Sequence, residues 1–201
     1  MPEFAFPTVT QYASPDLIPE FAYEGRNIAT DPRWAETGAP DLAAYITWAG
    51  AICGMACLRM ALLRRDGTAP HLFALLDGAL KYGAYVEEEG GGIRGMIYAP
   101  FAEYVKAEHG LEAQVHSQLP VEDLLELLRA GSTVIASVHK EIRNPTAPPP
   151  GRGGHLVYVT GQADGSVHLR NPSGHTAEAL KAAVPVELFA GFYAERGVSI
   201  T

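Results

Sequence analysis

Positive charge is scarce in this sequence. Lys and Arg number 15 against 23 Asp and Glu over 201 residues, for a net charge of −8. No stretch gathers the basic residues into a patch, so the electrostatic footprint for gripping a phosphate backbone is missing and nucleic acid is excluded as a partner. Long apolar runs are missing too. A membrane helix needs ~20 consecutive apolar residues. The richest stretches, 72–80 and 134–138, are short and flanked by charge or glycine. The start, Met1-Pro2-Glu3-Phe4, has an acid where a signal peptide carries basic residues, and Pro2 and Pro7 where its apolar centre would lie. The expectation is a cytoplasmic chain with no membrane partner. Cysteine is nearly absent: Cys53 and Cys57 alone cannot build a disulfide framework. Lacking a closely spaced second pair they make no zinc site, and no Gly-Lys-Ser/Thr marks a phosphate loop. No metal or cofactor is expected. Oligomeric state is left open.

Hydrophobic residues make up 47% of the chain, enough for a packed core, and the length suits one domain. Residues 1–40 hold six prolines and no sustained period, yet Phe4, Phe6, Tyr12, Phe21, Tyr23 and Trp34 give them apolar surface to bury. This reads as an extended arm wrapping a domain over 41–201. Within the arm, Asp31-Pro32-Arg33-Trp34 is a surface turn or a contact docking the arm near a cleft. Helices are expected from Asp41 to about Thr47, from near Cys53 to Asp66-Gly67, over 71–82 up to Gly83, from Pro100 at a first helical position to Gly110, and over 121–130. Strand signals rich in Val, Ile and Thr cover 111–116, 132–138, 155–160 and 167–170, with Ala163-Asp164-Gly165 joining the last two as a hairpin. The run from Glu87 to Gly92 reads as an irregular, mobile loop. Its glutamates are solvated or, alternatively, favour basic substrates. The proline-rich loop 144–154 leads straight into His155. Helices first and antiparallel strands second give an α+β protein rather than a doubly wound sheet.

Three residues stand where nucleophilic chemistry would need them. Cys53 opens a helix, where unpaired N–H groups and the helix dipole favour a thiolate, and Gly54 after it leaves room for a substrate. By itself such a cysteine is more often a small core hydrophobe, and Cys57, one turn on, reads as core. His155 opens a strand after Gly153-Gly154, placed to act as base toward a thiol from elsewhere in the fold, or as a satisfied strand-end histidine. If the hairpin turns at Asp164-Gly165, paired residues sum to about 329, which puts Asn171 within a few residues of His155. An amide there orients the imidazole; alternatively Asn171-Pro172-Ser173-Gly174 is simply a turn.

The ordered set resembles the C39-like branch of the papain-like cysteine peptidases. The matching stretches are Cys53-Gly54-Met55-Ala56-Cys57-Leu58 with Met60, then Gly153-Gly154-His155-Leu156-Val157, then Asn171-Pro172-Ser173-Gly174, within residues 45–201. The resemblance implies a papain-like α+β fold, N-terminal helices packed on a C-terminal antiparallel sheet, and hydrolysis of a peptide or peptide-like amide through a thioester. Cys53 would be nucleophile, His155 base and then acid, and Asn171 the orienter. Relatives in peptide exporters cut leader peptides after a Gly-Gly pair; this sequence has no membrane or ATPase portion, so that role does not carry over. One departure stands out. The family has Gln six positions before the nucleophile, and here that position is Thr47. No Gln lies between Gln11 and Gln114. The oxyanion is then expected to rest on the Cys53 backbone N–H and the Thr47 hydroxyl, and loss of one donor typically costs ~10²–10³ in rate. Two alternatives share the fold: an acyltransferase working through the same thioester, and a catalytically inactive binding protein.

Overall fold

The computed structural model describes residues 6–145 and 149–201. Phe4 at the start of the arm and three residues of the proline-rich loop lie outside them. The arm is more than an extended strap. It folds into a 3-10 turn (Pro15–Leu17), the short helix α1 (Ile18–Tyr23) and two further turns (Ile28–Thr30, Trp34–Thr37). Pro15 and Pro19 sit in first-turn positions, where the missing N–H costs no hydrogen bond. Asp31, buried, holds the arm down: its carboxylate accepts from the Ser14 N–H and hydroxyl, from the Arg33 N–H and from the Tyr45 hydroxyl. Burial works against the charged carboxyl, and these donors more than offset it, so the pKa lies below the usual carboxylate range.

Helices α2 (Leu42–Trp48) and α3 (Cys53–Asp66) follow. Asp41 caps α2 by accepting from the Ala44 N–H, and Gly67 ends α3 in the left-handed conformation. Helix α3 is buried along most of its length, with Met55, Ala56, Cys57, Leu58 and Met60 all fully enclosed. A helix enclosed on most sides belongs in the middle of a fold, and here only Arg59 and the last turn from Leu63 reach the surface. Leu58→Ala is expected to cost ~2–5 kcal/mol of stability. Helix α4 (Leu72–Lys81) leads into a small hairpin, β1 (Tyr85–Glu87) with β2 (Ile93–Gly95), and then α5 (Tyr98–His109).

The remaining strands form one antiparallel sheet. In chain order they are β3 (Ala113–His116), β4 (Thr133–Val138), β5 (His155–Ala163), β6 (Ser166–Arg170), β7 (Lys181–Pro185) and β8 (Tyr193–Ile200). In space the order is β3-β8-β4-β5-β6-β7. Helix α6 (Val121–Arg129) precedes β4; α7 (Ala177–Leu180) and α8 (Val186–Phe192) flank β7. Every residue of β4 is buried because both sheet faces are covered. Ile135, Leu156 and Tyr158 pack with α2 to α5; Val134, Ala136, Val157 and Val159 pack with α6 and α8. The fold is α+β, with the N-terminal helices on one sheet face.

Some local expectations shift. Pro100 is the third residue of α5, still within the first turn, where no intrahelical bond is lost. The glutamate run is the end of β1 and the tip of a hairpin rather than structureless chain. The segment 177–200, which carries no strong alternation, supplies two strands, one of them interior to the sheet.

Candidate active site

The α2–α3 junction turns sharply, so Cys53 becomes the first residue of α3 with its sulfur at the helix start. The backbone N–H groups of Leu156, Gly54 and Cys53 itself favour negative charge on that sulfur. Gly54 serves packing rather than substrate access, correcting the reading above. A Cβ there would lie 2.7 Å from both the Met96 sulfur and the Tyr85 hydroxyl. Cys57 is wholly buried in the core.

His155 begins β5, paired with Val138 of β4. Gly153 and Gly154 precede it with φ of 80° and 92°, a conformation that lets the chain turn abruptly into the strand. The hairpin register sums to 329 from Ala163↔Ser166 to Gly161↔His168, and then slips by one at a bulge to Tyr158↔Arg170. That slip leaves Asn171 beside His155, with Nε2 2.8 Å from Asn171 Oδ1.

The amide orientation is fixed by a donor that cannot reverse. The Ser173 backbone N–H donates to Asn171 Oδ1 at 3.0 Å, so the atom facing His155 is an acceptor. His155 Nε2 must therefore carry the proton, leaving the Nδ1 lone pair as the basic site. Ser173 Oγ, 3.0 Å from Nε2 and 3.2 Å from Asn171 Oδ1, in turn accepts from Arg143 Nε at 2.8 Å. His155, Asn171 and Ser173, all buried, thus make one connected network with the half-buried Arg143 at its outer end.

Cys53 and His155 line the same cleft, of about 710 Å³, together with Gln11, Gly50, Ala51 and Arg143. Thr47 does not join it. Its side chain is exposed on α2, and its hydroxyl donates to the Ala43 carbonyl one turn back, so it has no path to a carbonyl at Cys53. The side-chain amide that does line the cleft is on the arm, at Gln11. Gln11 is buried at 2% exposure, its N–H donates to the Pro172 carbonyl, and its Nε2 donates to the Ala49 carbonyl at 2.8 Å. One residue therefore ties the arm to both the cysteine side and the asparagine side. The signal in the sequence was its isolation: Gln11 is the sole glutamine before Gln114.

Electrostatically both Cys53 and His155 favour their neutral forms. Burial pushes the Cys53 thiol up, against the opposing pull of Leu156, Gly54 and Cys53 N–H groups and of Arg143. This corrects the expectation of a depressed thiol: the helix start is present, but desolvation outweighs it. Burial likewise lowers His155 to about 4, although its bond to Asn171 favours protonation. Among the described residues no group of three His, Cys, Asp or Glu is arranged to hold a metal.

No protein-family model matches the sequence, and no curated protein matches it. Solved structures match in shape. A C39-like peptidase from Bacillus anthracis is similar over 75% of this chain and 88% of its own, with a TM-score of 0.53 and 16% identity. The peptidase domain of Streptococcus ComA, a bi-functional ABC transporter involved in quorum sensing, is similar over 76% and 92%, with a TM-score of 0.52 and 15% identity. The chain has the fold of the C39-like peptidases. At these identities the likeness establishes architecture, and the argument for activity rests on the cleft.

Proposed function

We propose that this chain is a C39-like cysteine peptidase or amidase that cleaves a peptide or peptide-like amide through a thioester on Cys53. The observation that carries this reading is one cleft shared by a helix-start cysteine and a histidine whose Nε2–H is tied to Asn171. With both groups neutral at rest, Nδ1 of His155 takes the thiol proton as the sulfur attacks the amide carbon. Charge then develops on the carbonyl oxygen. The Cys53 N–H supplies one donor, and the second Nε2 hydrogen of Gln11, the first being used by Ala49, supplies the other. The imidazolium, held by Asn171, gives its proton to the departing amine. Water then attacks the thioester with His155 again as base, releasing an acid and the free thiol. A reducing compartment such as the cytoplasm suits this cycle, because Cys53 must stay unoxidised.

The test is a pool of peptides of varied sequence incubated in ¹⁸O-labelled water with the wild-type chain or with Cys53→Ala. New C-termini carrying one label, formed by the wild type alone, are expected. An added amine captured as a new amide in place of labelled acid would reassign the chemistry to acyl transfer. No new termini from any pool, with or without amine, would remove the enzymatic reading altogether.

A further inference from the structure

The candidate cleft is positively charged in a protein that carries a net charge of −8. Lys140, Arg143 and Arg196 line it, and among the described residues no Asp or Glu does. Ion pairs elsewhere absorb Arg26, Arg33, Arg65, Lys106 and Arg152, whereas among the described residues none of the three cleft cations is paired with a carboxylate. The contrast is sharpest at adjacent positions: Glu195 pairs with Arg152, while Arg196 is turned toward the Tyr98 hydroxyl and packs against Gly153. Arg143 is held in place by Ser173 and lies 5.9 Å from the Tyr23 ring centroid, so little freedom is lost when it binds an anion.

The charges also bracket the reacting groups. The sheet runs β8-β4-β5-β6. Arg196 stands on β8, His155 on β5 between, and Arg143 is anchored to Ser173 just beyond β6. Lys140 follows β4, exposed at the same end. Glu87 and its neighbours stay at the exposed hairpin and do not line the cleft, which removes the reason to expect basic substrates.

We infer that this cleft selects substrates bearing a carboxylate beside the amide to be cleaved, an inference that rests on the peptidase reading for the site but not for the charge. A cleft lined by one sign of charge focuses the field and raises the local concentration of the opposite sign. The carboxylate is that of an acidic side chain or of a chain terminus.

Three small thiol-alkylating reagents separate these sources: chloroacetyl-glutamate amide, chloroacetyl-glutamine with a free carboxylate, and chloroacetyl-glutamine amide as the neutral reference. Each transfers its carbon to Cys53 sulfur with loss of chloride, so no peptidase turnover is needed. With rates normalised to those on glutathione, one or both anionic reagents should label Cys53 roughly tenfold faster than the neutral one. The faster of the two names the source. Raising ionic strength should shrink the advantage, as should the Lys140→Gln, Arg196→Gln double variant, which leaves the His155 network intact. Equal normalised rates for all three reagents would overturn the inference. A chain with the preference that cleaves no peptide refutes the peptidase reading alone; one that cleaves peptides without the preference refutes this one alone.

Discussion

The two sides of the cleft are built by different means. On the histidine side, neighbouring strands β5 and β6 hold His155 and Asn171 16 positions apart in sequence and 2.8 Å apart in space. Ser173 and Arg143 extend the support, so the imidazole is fixed by a buried hydrogen-bonded network. The cysteine side has a helix start with no side-chain cap, and the amide beside it is borrowed from an arm 42 positions upstream, through the Gln11–Ala49 and Gln11–Pro172 bonds. One side is set by local hairpin geometry and the other by a long-range strap. His155 is therefore buried and held by its own hairpin, while Gln11 reaches the cleft only through the long-range bonds of the arm, on which oxyanion support in the proposed reaction would depend.

Perturbing each side separately should rank the parts. His155→Ala is expected to have the largest effect, abolishing measurable turnover because the proton acceptor is lost. Gln11→Ala comes next, with kcat falling ~10²–10³ as one oxyanion donor disappears. Steady-state kinetics should place the loss in kcat rather than KM. If Gln11 merely fastens the arm, the variant will lower the melting temperature and raise KM while kcat stays near the wild-type value. Asn171→Ala should cost less than either, since the reacting groups remain while the ring loses its orienting acceptor; thermal denaturation should show it still folded.

The histidine side also carries a pH signature. Its folded pKa of about 4 lies below the ordinary 6.5, so the unfolded chain takes up the proton first as pH falls. Stability is unaffected above pH 6.5 and is lost progressively between pH 6.5 and 4, by up to about 3 kcal/mol. Urea denaturation at pH 7 and pH 5 should show the loss in wild type, and a smaller one in His155→Ala. With the neutral ring as base of the proposed reaction, the acid limb of kcat/KM should fall well below pH 6. The smallest effect is assigned to Thr47→Val. Its hydroxyl bonds only to its own helix, so turnover should be unchanged. A large loss there would return the oxyanion role to α2.

What was legible in the sequence follows the same division. Hairpin arithmetic placed Asn171 beside His155 because a two-residue turn at Asp164-Gly165, with φ of 49° and 73°, fixes register over the whole hairpin; only the bulge near Thr160 was invisible. Cys53 at a helix start was legible from the helix formers between Met55 and Leu63 and the stop at Asp66-Gly67. The place of Gln11 in the cleft was not, because no periodicity connects Gln11 to Ala49, and the arm that carries it is tied down through the bond between Asp31 and Tyr45. The raised pKa of the thiol is hidden from the sequence for a similar reason. A helix start is a local feature, whereas burial is a property of the whole fold. The segment 177–200 escaped because β8 gains its stability from β3 and β4 on either side, not from its own alternation.

The central claim is that Cys53 and His155 act as nucleophile and base. The most direct measurement is the rate of iodoacetamide modification at neutral pH, resolved by peptide mass spectrometry for Cys53 and Cys57 in the wild type and in His155→Ala. The account predicts modification at Cys53 alone, slowed by at least tenfold in the variant as the proton acceptor is removed. Equal rates in the two proteins, or preferential modification of Cys57, would contradict it.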